Sequence, residues 1–239
     1  MPKSPSLLDL HLRLSKFFGP LGWWPAETPF EVCVGAILTQ NTSWKNVERA
    51  VANLKRECVL TPHCIDVMSI EHLAELIRPS GYFNEKAKKL KSFTAFLMNE
   101  FGGRIEAMHA LDTGALRHRL LELPGLGPET VDSILLYALE RPVFVIDAYT
   151  KRIFGRHGFF EEKITYAKAQ EFFHAQLPAD ARLFNEYHAE IVHLAKDFCL
   201  KSKPLCGHCP IPCAFGRATI AETKTAKTDK PARRSDTAA

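Results

Sequence analysis

Residues 123–147 read LPGLGPETVDSILLYALERPVFVID, and this stretch decides the fold. It begins with a glycine-containing turn at 123–127. Pro128 then starts a segment in which apolar residues recur at helical spacing, and Pro142 ends that helix. A short apolar run follows and leads to Asp147, just before another helical segment. The stretch therefore predicts two helices joined by a tight turn, with a carboxylate presented close to them.

The turn itself has features that suit binding to a phosphate. Gly125 and Gly127 allow a tight turn and the close approach of another molecule to the backbone. The first N–H groups of the following helix, which includes Thr130, have no partner within the helix and can bind an anion. A lone Gly-x-Gly before a helix is equally typical of an ordinary helix-to-helix turn. The rest of the unit is needed to choose between the two interpretations.

Taken together, these residues resemble the signature of a known enzyme family. The turn at 123–127, Pro142 and Asp147 are similar to the helix–hairpin–helix and Gly/Pro-Asp motif of the endonuclease III-like DNA glycosylases. The similarity extends over roughly residues 5–215. It implies an enzyme of base excision repair that acts on double-stranded DNA with damaged bases.

Composition is compatible with this interpretation but adds little to it. The chain has 239 residues, of which 46% are hydrophobic and 24% charged, as is ordinary for a soluble globular protein. Its net charge is +4, but six basic and three acidic residues lie in 217–239, so the remainder is close to neutral. A DNA-binding face must therefore be a local patch. We find no signal peptide or membrane span and expect a cytoplasmic protein, nucleoid-associated if bacterial.

The periodicity predicts an all-α fold, since no segment alternates with a period of two over a useful length. The predicted helices cover 5–18, 29–38, 43–54, 71–78, 84–101, 112–122, 129–140, 148–156, 166–176 and 185–197. The family resemblance implies two helical domains with a cleft between them. One comprises 29–141 and contains the helix–hairpin–helix motif. The other combines 1–28 with 142–216, and we expect a disordered tail at 217–239.

Two acidic residues carry the predicted chemistry. Asp147 can stabilise the oxocarbenium-like sugar that forms during glycosidic cleavage and can activate water, provided that it is ionised. It can equally serve as the N-cap of the next helix, and one role does not exclude the other. Lyase members of the family carry a catalytic lysine at the position of Glu129. A carboxylate cannot form a Schiff base, so we predict a monofunctional glycosylase.

Aromatic residues near the N-terminus indicate the substrate. Trp23, Trp24 and Trp44 are the only tryptophans of the chain. Aromatic faces hold an extruded base by stacking, and they hold a cationic base more strongly. With Pro25 and the segment 38–42, they resemble the 3-methyladenine glycosylase branch, which implies a pocket for alkylated purines such as 3-methyladenine and 7-methylguanine. The alternative is that these residues only pack in the core or between domains.

Further residues receive roles from the resemblance. Gln40, followed by Asn41, would reach into the duplex where the extruded nucleotide was. Tyr82, in a Gly-Tyr-Phe-Asn loop, would insert between bases and keep the kink open. Lys196 could approach the base pocket. Each also has a plain structural interpretation: a polar helix end, a loop aromatic and a solvated helix residue.

Four cysteines near the C-terminus have the spacing of a metal site. They are Cys199, Cys206, Cys209 and Cys213, and both a [4Fe–4S] cluster and a tetrahedral zinc site use four thiolates. The family's iron–sulfur loop matches in position and in the first two gaps, while its last gap is two residues longer. We predict a [4Fe–4S] cluster with zinc as the alternative, and a structural and DNA-positioning role.

The sequence thus predicts a monomeric, monofunctional glycosylase that hydrolyses the N-glycosidic bond of alkylated purines. Two alternatives remain open. The same scaffold could act on oxidised pyrimidines or mismatched bases. The chain could also be a non-catalytic helix–hairpin–helix DNA-binding module.

Overall fold

The computed structural model describes residues 6–161 and 163–211. These ranges contain helices and no strand, which confirms the all-α prediction. The α-helices are α1 (Leu7–Phe18), α2 (Pro29–Leu38), α3 (Trp44–Arg56), α4 (Pro62–Val67), α5 (Ile70–Leu76), α6 (Phe83–Phe101), α7 (Thr113–Leu121), α8 (Pro128–Ser133), α9 (Ala148–Arg156), α10 (Tyr166–His174) and α11 (Ala181–Asp197). Within the same ranges, no helix is long and apolar enough to cross a bilayer. The predicted tail at 217–239 lies outside the described residues.

α2 occupies the centre of the core because all of its side chains except Glu31 are apolar. All residues from Phe30 to Leu38 are buried. Thr28 caps the helix, since its Oγ1 accepts a hydrogen bond from the Glu31 N–H at 3.1 Å. The only acid of the helix, Glu31, pairs with Lys55 of α3 at 2.9 Å. The chain leaves α2 next to the helix–hairpin–helix unit.

The C-terminal helices pack together with the N-terminal helix. Leu10 and Leu14 of α1 are buried against α11, and His11 Nδ1 lies 2.9 Å from the buried Glu190 Oε2. Between α9, α10 and α11 the core is aromatic; Phe144 stacks on Phe173 with 4.1 Å between ring centroids. These contacts are compatible with the second predicted domain. The division into 29–141 and 1–28 plus 142–216 remains a prediction.

A buried carboxylate joins the hairpin to the C-terminal helices. Asp132 of α8 is fully buried. Arg117 donates to both of its oxygens, at 2.7 and 3.0 Å, while Tyr166 Oη and Gln170 Nε2 each donate to Oδ2 at 2.7 Å. Gln170 also donates to the Phe144 carbonyl at 2.8 Å. These bonds fix α8 relative to the segment that leads to Asp147.

We expect Asp132→Asn to destabilise the protein by about 3 kcal/mol, because it leaves the half-buried guanidinium of Arg117 without its counter-charge. Urea unfolding followed by circular dichroism measures the change. Asp112→Asn is the matched control. Asp112 caps α7 by accepting the Ala115 N–H at 2.9 Å, and asparagine caps equally well. A loss below about 1 kcal/mol at position 132 would show that the network is not holding the fold.

The second hairpin helix differs from its prediction. The sequence indicated an ordinary helix over 129–140, but α8 is followed by a π-helical segment at Ile134–Ala138. The Arg141 N–H then reaches the Leu135 carbonyl at 2.9 Å, and Glu140 adopts φ of 49°. A π-helical turn is wider than an α-helical turn, but the residues 134–138 are the apolar ones that an α-helix would also contain. The spacing of apolar residues therefore could not distinguish the two. The segment carries Tyr137, which faces the candidate site.

Other helix boundaries differ where local signals are weak. α4 is only six residues long and was not predicted, nor were the 3₁₀ turns at Arg78–Ser80, Ile105–Ala110 and Cys206–His208. Ser43, the first residue of the helix predicted at 43–54, is the N-cap of α3 but makes no capping side-chain hydrogen bond. α11 begins at Ala181 rather than 185, with Asp180 as its cap. These differences do not move the site.

Candidate active site

The hairpin turn has the geometry that its sequence predicts. Gly125 has φ of 82°, a conformation that glycine adopts without strain, and Leu126 is buried. Gly127 is the N-cap of α8 in an extended conformation with φ of −90°. A Cβ added at Gly127 would meet no protein atom within 4 Å, whereas one at Gly125 would collide with Lys89. Gly127 therefore faces open space at the start of the helix.

Asp147 is the N-cap of α9, so both predicted roles are geometrically open to it. Its Oδ1 accepts hydrogen bonds from Thr150 N at 2.7 Å and Thr150 Oγ1 at 2.8 Å. Its Oδ2 lies 3.7 Å from His188 Nε2, and 13% of the side chain is exposed. One oxygen is thus fixed by the helix, and the other remains able to face a reacting group.

Glu129 is close enough to Asp147 for the two carboxylates to interact. Glu129 is exposed, yet desolvation by the neighbouring protein and the negative charge of Asp147 raise its pKa to about 7, while Lys151 acts in the opposite direction. Glu129, which the family resemblance aligns with the catalytic lysine of the lyases, therefore interacts electrostatically with Asp147. It changes its charge near neutral pH.

This pKa predicts an effect on stability. An acid with a pKa above its unfolded value loses folding stability as pH rises from about 4.5 through about 7. We therefore expect Glu129→Gln to stabilise the protein relative to wild type at pH 8 and not at pH 4.5. The gain is at most about 1 kcal/mol, because the side chain reaches solvent. Thermal melting at both pH values measures it, and an equal shift at both would contradict the assignment.

Tyr137 and His188 line the approach to Asp147. Tyr137 Oη and His188 Nδ1 are 2.6 Å apart, and both side chains are buried. Burial and the charge of Asp147 raise the pKa of Tyr137, so the phenol keeps its proton. Burial lowers the pKa of His188, although Asp147 acts in the opposite direction. Neither residue was identified from the sequence, because no local motif marks them.

The three tryptophans form one cluster next to Tyr137. Trp24 makes an edge contact with Trp44 at 5.0 Å between centroids, and Trp23 lies 5.8 Å from Trp24 and 6.3 Å from Trp44. Tyr137 packs against Trp24 at 5.1 Å. The aromatic cluster (Trp23, Trp24, Trp44 and Tyr137) is therefore continuous with His188 and Asp147. Its rings touch in tilted and edge arrangements and leave no parallel slot.

Two cavities border this cluster. The smaller, of about 170 Å³, is lined by Trp24, Pro25, Trp44 and residues of α2 and α3. The larger, of about 400 Å³, is lined by Trp23, Trp24, Tyr137 and Asn185, among others. Asp147 lines neither cavity. The path from the cluster to the carboxylate runs through Tyr137 and His188.

Gln40 connects the end of α2 to the hairpin. Its Nε2 donates to Thr130 Oγ1 at 2.8 Å, and its Oε1 accepts from Lys89 Nζ. Thr130 is buried, so its hydroxyl faces the protein and not the predicted DNA. Both ends of the Gln40 amide are engaged. Its predicted entry into a duplex would require these bonds to exchange for contacts with DNA.

Two residues predicted to contact DNA are exposed. Tyr82 is 72% exposed and has φ of 47°, immediately before α6. Asn41 is exposed, with φ of 54°, just after α2. An exposed aromatic side chain at the tip of a loop has the shape that a wedge between bases requires.

Lys196 lies on the last turn of α11 and is exposed. One helical turn before it, His193 approaches Trp23 with 6.4 Å between ring centroids. His193 is therefore an ionisable group at the edge of the aromatic cluster, and the sequence did not single it out.

The cysteine loop is held by two arginines of α9. Arg152 Nε donates to the Cys199 carbonyl at 2.9 Å. Arg156 Nη1 lies 3.4 Å from Cys199 Sγ, and its two terminal nitrogens also donate to the carbonyls of Leu200 and Lys201, each at 2.7 Å. Cys199 is buried. The arginines fix the start of the loop.

Of the other three cysteines predicted to bind the metal, two lie in the described residues. Cys206 and Cys209 are half-buried, and the Cys209 N–H donates to the Cys206 carbonyl at 3.3 Å. Cys213 lies outside the described residues. Across 6–161 and 163–211, no group of three or more His, Cys, Asp or Glu side chains is arranged to hold a metal ion. The donor chemistry suits a cluster, while the fourth ligand is not among these residues.

Comparison with known proteins assigns the family. Residues 34–179 match the family described as HhH-GPD superfamily base excision DNA repair protein. A relative from Methanocaldococcus jannaschii, named "Putative DNA repair glycosylase MJ1434", is 53% identical over 210 residues, which are 87% of this chain and 95% of that protein.

Solved structures agree with this assignment. A Helicobacter pylori 3-methyladenine DNA glycosylase bound to 1,N6-ethenoadenine is 29% identical, with a TM-score of 0.68, covering 77% of this chain and 92% of that one. An endonuclease III in a non-covalent DNA complex shares the fold, with a TM-score of 0.74 at 21% identity, covering 88% and 94%. The chain therefore belongs to the HhH-GPD superfamily and is a DNA glycosylase of base excision repair.

Proposed function

We propose that this glycosylase hydrolyses the N-glycosidic bond of alkylated purines, with 3-methyladenine and 7-methylguanine as representative bases. One observation carries the proposal: the aromatic cluster is continuous with Asp147 through Tyr137 and His188. A base held against the cluster would place its sugar toward the carboxylate. The similar Helicobacter pylori enzyme, whose structure holds a modified adenine, supports a purine substrate.

The electrostatics of the site suit a cationic base. N-alkylated purines carry a positive charge, which the faces of indole and phenol rings attract. The same charge weakens the glycosidic bond, so the enzyme needs no strong general acid. Asp147, and above about pH 7 also Glu129, contribute negative charge close to the cluster. The site therefore stabilises positive charge on the base first and on the sugar as the bond breaks.

Asp147 stabilises the developing oxocarbenium ion and orients or deprotonates the attacking water. Two hydrogen bonds from Thr150 fix Oδ1. Oδ2 remains for the reacting groups. The N-cap position does not compete with this role, because capping uses only one of the two oxygens.

The cluster has to open before a base can stack within it. The indole rings contact one another at 5.0 to 6.3 Å between centroids, in tilted or edge arrangements. A flat base therefore enters only if one indole turns aside. Trp23 and Trp44, partly exposed and on separate segments, are the rings that can separate. Pro25 lies at the rim of the smaller cavity, and Lys196 lies at the end of α11.

DNA binding in this proposal uses the hairpin, the Tyr82 loop and the end of α2. Gly127 admits a phosphate to the first turn of α8, Tyr82 wedges between bases, and Asn41 lies beside the strand. Gln40 exchanges its contacts with Thr130 and Lys89 for contacts with the vacated position in the duplex. We propose that the enzyme acts as a monomer, with its site in a cleft between the two predicted domains.

We expect Gly127→Ala to weaken binding to duplex DNA about tenfold, roughly 1.4 kcal/mol, on damaged and undamaged sequences alike. The added methyl group meets no protein atom, so folding is spared, but it stands where the phosphate approaches. Fluorescence anisotropy at fixed salt measures the change. Gly114→Ala in α7 is the control. Unchanged affinity would show that the hairpin does not grip the backbone there.

We further propose that Cys199, Cys206, Cys209 and Cys213 hold a [4Fe–4S] cluster, with zinc as the alternative. The support is the thiol donor set and the guanidinium of Arg156 beside Cys199 Sγ. The cluster would tie the C-terminal loop to α9 and help to position DNA. Iron, sulfide and zinc analysis of the purified protein, together with its visible absorption, distinguishes the two. Metal-free protein with unchanged stability would contradict both.

The activity is tested by incubating methylated duplex DNA with the protein and separating the released bases. Methylated purines should appear, and the strands should remain intact at the abasic sites until they are treated with alkali. Parallel duplexes carrying an oxidised pyrimidine or a mismatched thymine test the alternative substrates. Release only from those duplexes would overturn the alkylated-purine assignment, and binding without release from any duplex would indicate a non-catalytic module.

A further inference from the structure

A pair of buried side chains connects the aromatic cluster to Asp147. Tyr137 Oη and His188 Nδ1 share a hydrogen bond of 2.6 Å across 51 residues of sequence. His188 Nε2 is buried, lacks a hydrogen-bond partner in the described structure, and lies 3.7 Å from Asp147 Oδ2. A buried polar atom without a partner is uncommon in folded proteins and calls for a functional explanation.

The position of the histidine proton follows from its neighbours. Burial lowers the pKa of His188, so the ring is neutral and only one nitrogen carries hydrogen. Burial raises the pKa of Tyr137, so its hydroxyl keeps a proton that it can donate. If Tyr137 donates to Nδ1, the N–H of Nε2 faces the carboxylate. The opposite tautomer would place a lone pair against an anionic oxygen, which is unfavourable.

The geometry points to Tyr137 and His188 as positioning residues for Asp147: Tyr137 fixes the ring of His188 so that Nε2–H orients Oδ2. This inference rests on the proposed role of Asp147. The separation of 3.7 Å is longer than a hydrogen bond, so Oδ2 keeps its capacity to accept from the reacting groups. Since Tyr137 also packs on Trp24 at 5.1 Å, the residues that receive the base also hold the carboxylate.

The test measures two quantities for each variant: the single-turnover rate constant of base release and the dissociation constant for damaged duplex. Tyr137→Phe keeps the ring against Trp24 and removes only the hydroxyl. We expect it to lower the rate constant about 10- to 100-fold, as loss of an outer partner of a functional group does, with binding unchanged. His188→Phe should have a similar effect. His188→Gln, which retains a donor, should recover part of the rate.

The decisive readout is the double variant. If Tyr137 acts through His188, adding Tyr137→Phe to His188→Phe should change the rate by less than twofold. If the two substitutions caused independent packing defects, their separate effects on the rate constant would instead multiply in the double variant. Tyr187→Phe is the matched control, because Tyr187 is a buried tyrosine next to His188 whose hydroxyl lacks a partner in the described structure. Its rate should equal that of wild type.

Two outcomes separate this inference from the proposed function. If Asp147→Asn stops base release while the Tyr137 and His188 variants match wild type, the positioning role is wrong and the function stands. If Asp147→Asn retains activity, the role of Asp147 fails, and the inference fails with it. Thermal melting of each variant identifies any loss that comes from unfolding. If His188→Phe proves unstable, the rate of His188→Gln is compared with that of wild type. A lower rate supports the positioning role of His188, and an equal rate overturns it.

Discussion

Asp147→Asn is expected to lower the rate of base release by at least about 10³-fold, roughly 4 kcal/mol of transition-state stabilisation, while the affinity for damaged duplex stays within threefold. The substitution removes the negative charge that faces the sugar. It preserves the cap of α9, because an asparagine Oδ1 can accept from Thr150 as the aspartate does. Single-turnover assays on methylated duplex, together with binding isotherms, measure both quantities.

The control for this substitution is another N-cap. Asp180 caps α11 by accepting from the N–H groups of Arg182 and Leu183, at 2.8 and 3.2 Å. Asp180→Asn makes the same chemical change at a position away from the aromatic cluster, and its rate should equal that of wild type. If Asp147→Asn lost less than tenfold in rate, Asp147 would be a cap only, and the acid of the site would have to be sought elsewhere.

Glu129→Lys is expected to convert base release into strand cleavage. It places a primary amine beside Asp147, in the position from which the lyase members of the family attack the sugar. Borohydride should then trap a covalent protein–DNA adduct that wild type does not form. Gel electrophoresis after trapping measures the adduct, and Glu129→Gln, which has no amine, is the control.

The charge of Lys151 lowers the pKa of Glu129, so this lysine also acts on the site. The trapping experiment therefore tests Lys151 as a second source of the amine. If wild type itself were trapped by borohydride, Lys151 would be the first source of the amine to examine, and the prediction of a monofunctional enzyme would be wrong. Lys151→Gln would then remove the adduct. No adduct with Glu129→Lys, despite continued base release, would show that position 129 cannot reach the sugar.

The sequence was sufficient to predict the features that depend only on residues close together in the chain. The glycines of the hairpin, the proline at the start of α8 and the apolar face of α1 fix their conformations within a few residues. Asp147 could be singled out because the turn and Pro142 precede it at the family's spacing. Even the alternative role was correct in part, since Asp147 caps α9.

Tertiary contacts could not be predicted in the same way. Tyr137 and His188 are far apart in sequence, and each lies in a helix whose apolar pattern gives no reason to select it. Gln40 and Thr130 were assigned to DNA separately, yet they bond to each other because α2 ends against α8. Such pairs arise from the packing of helices, which one sequence without its three-dimensional arrangement does not disclose.

The π-helical segment at Ile134–Ala138 has a consequence for how this chain tolerates change. It accommodates one residue more than an α-helix would over the same rise. Deleting a residue just after Tyr137 would regularise the helix and leave the flanking segments in register, yet it would carry Tyr137 itself around the helix axis. Tyr137 would then point away from His188. The length of this segment is therefore limited by the activity of the site and not by the stability of the helix. A variant with a shortened, regular α-helix should be less active than wild type.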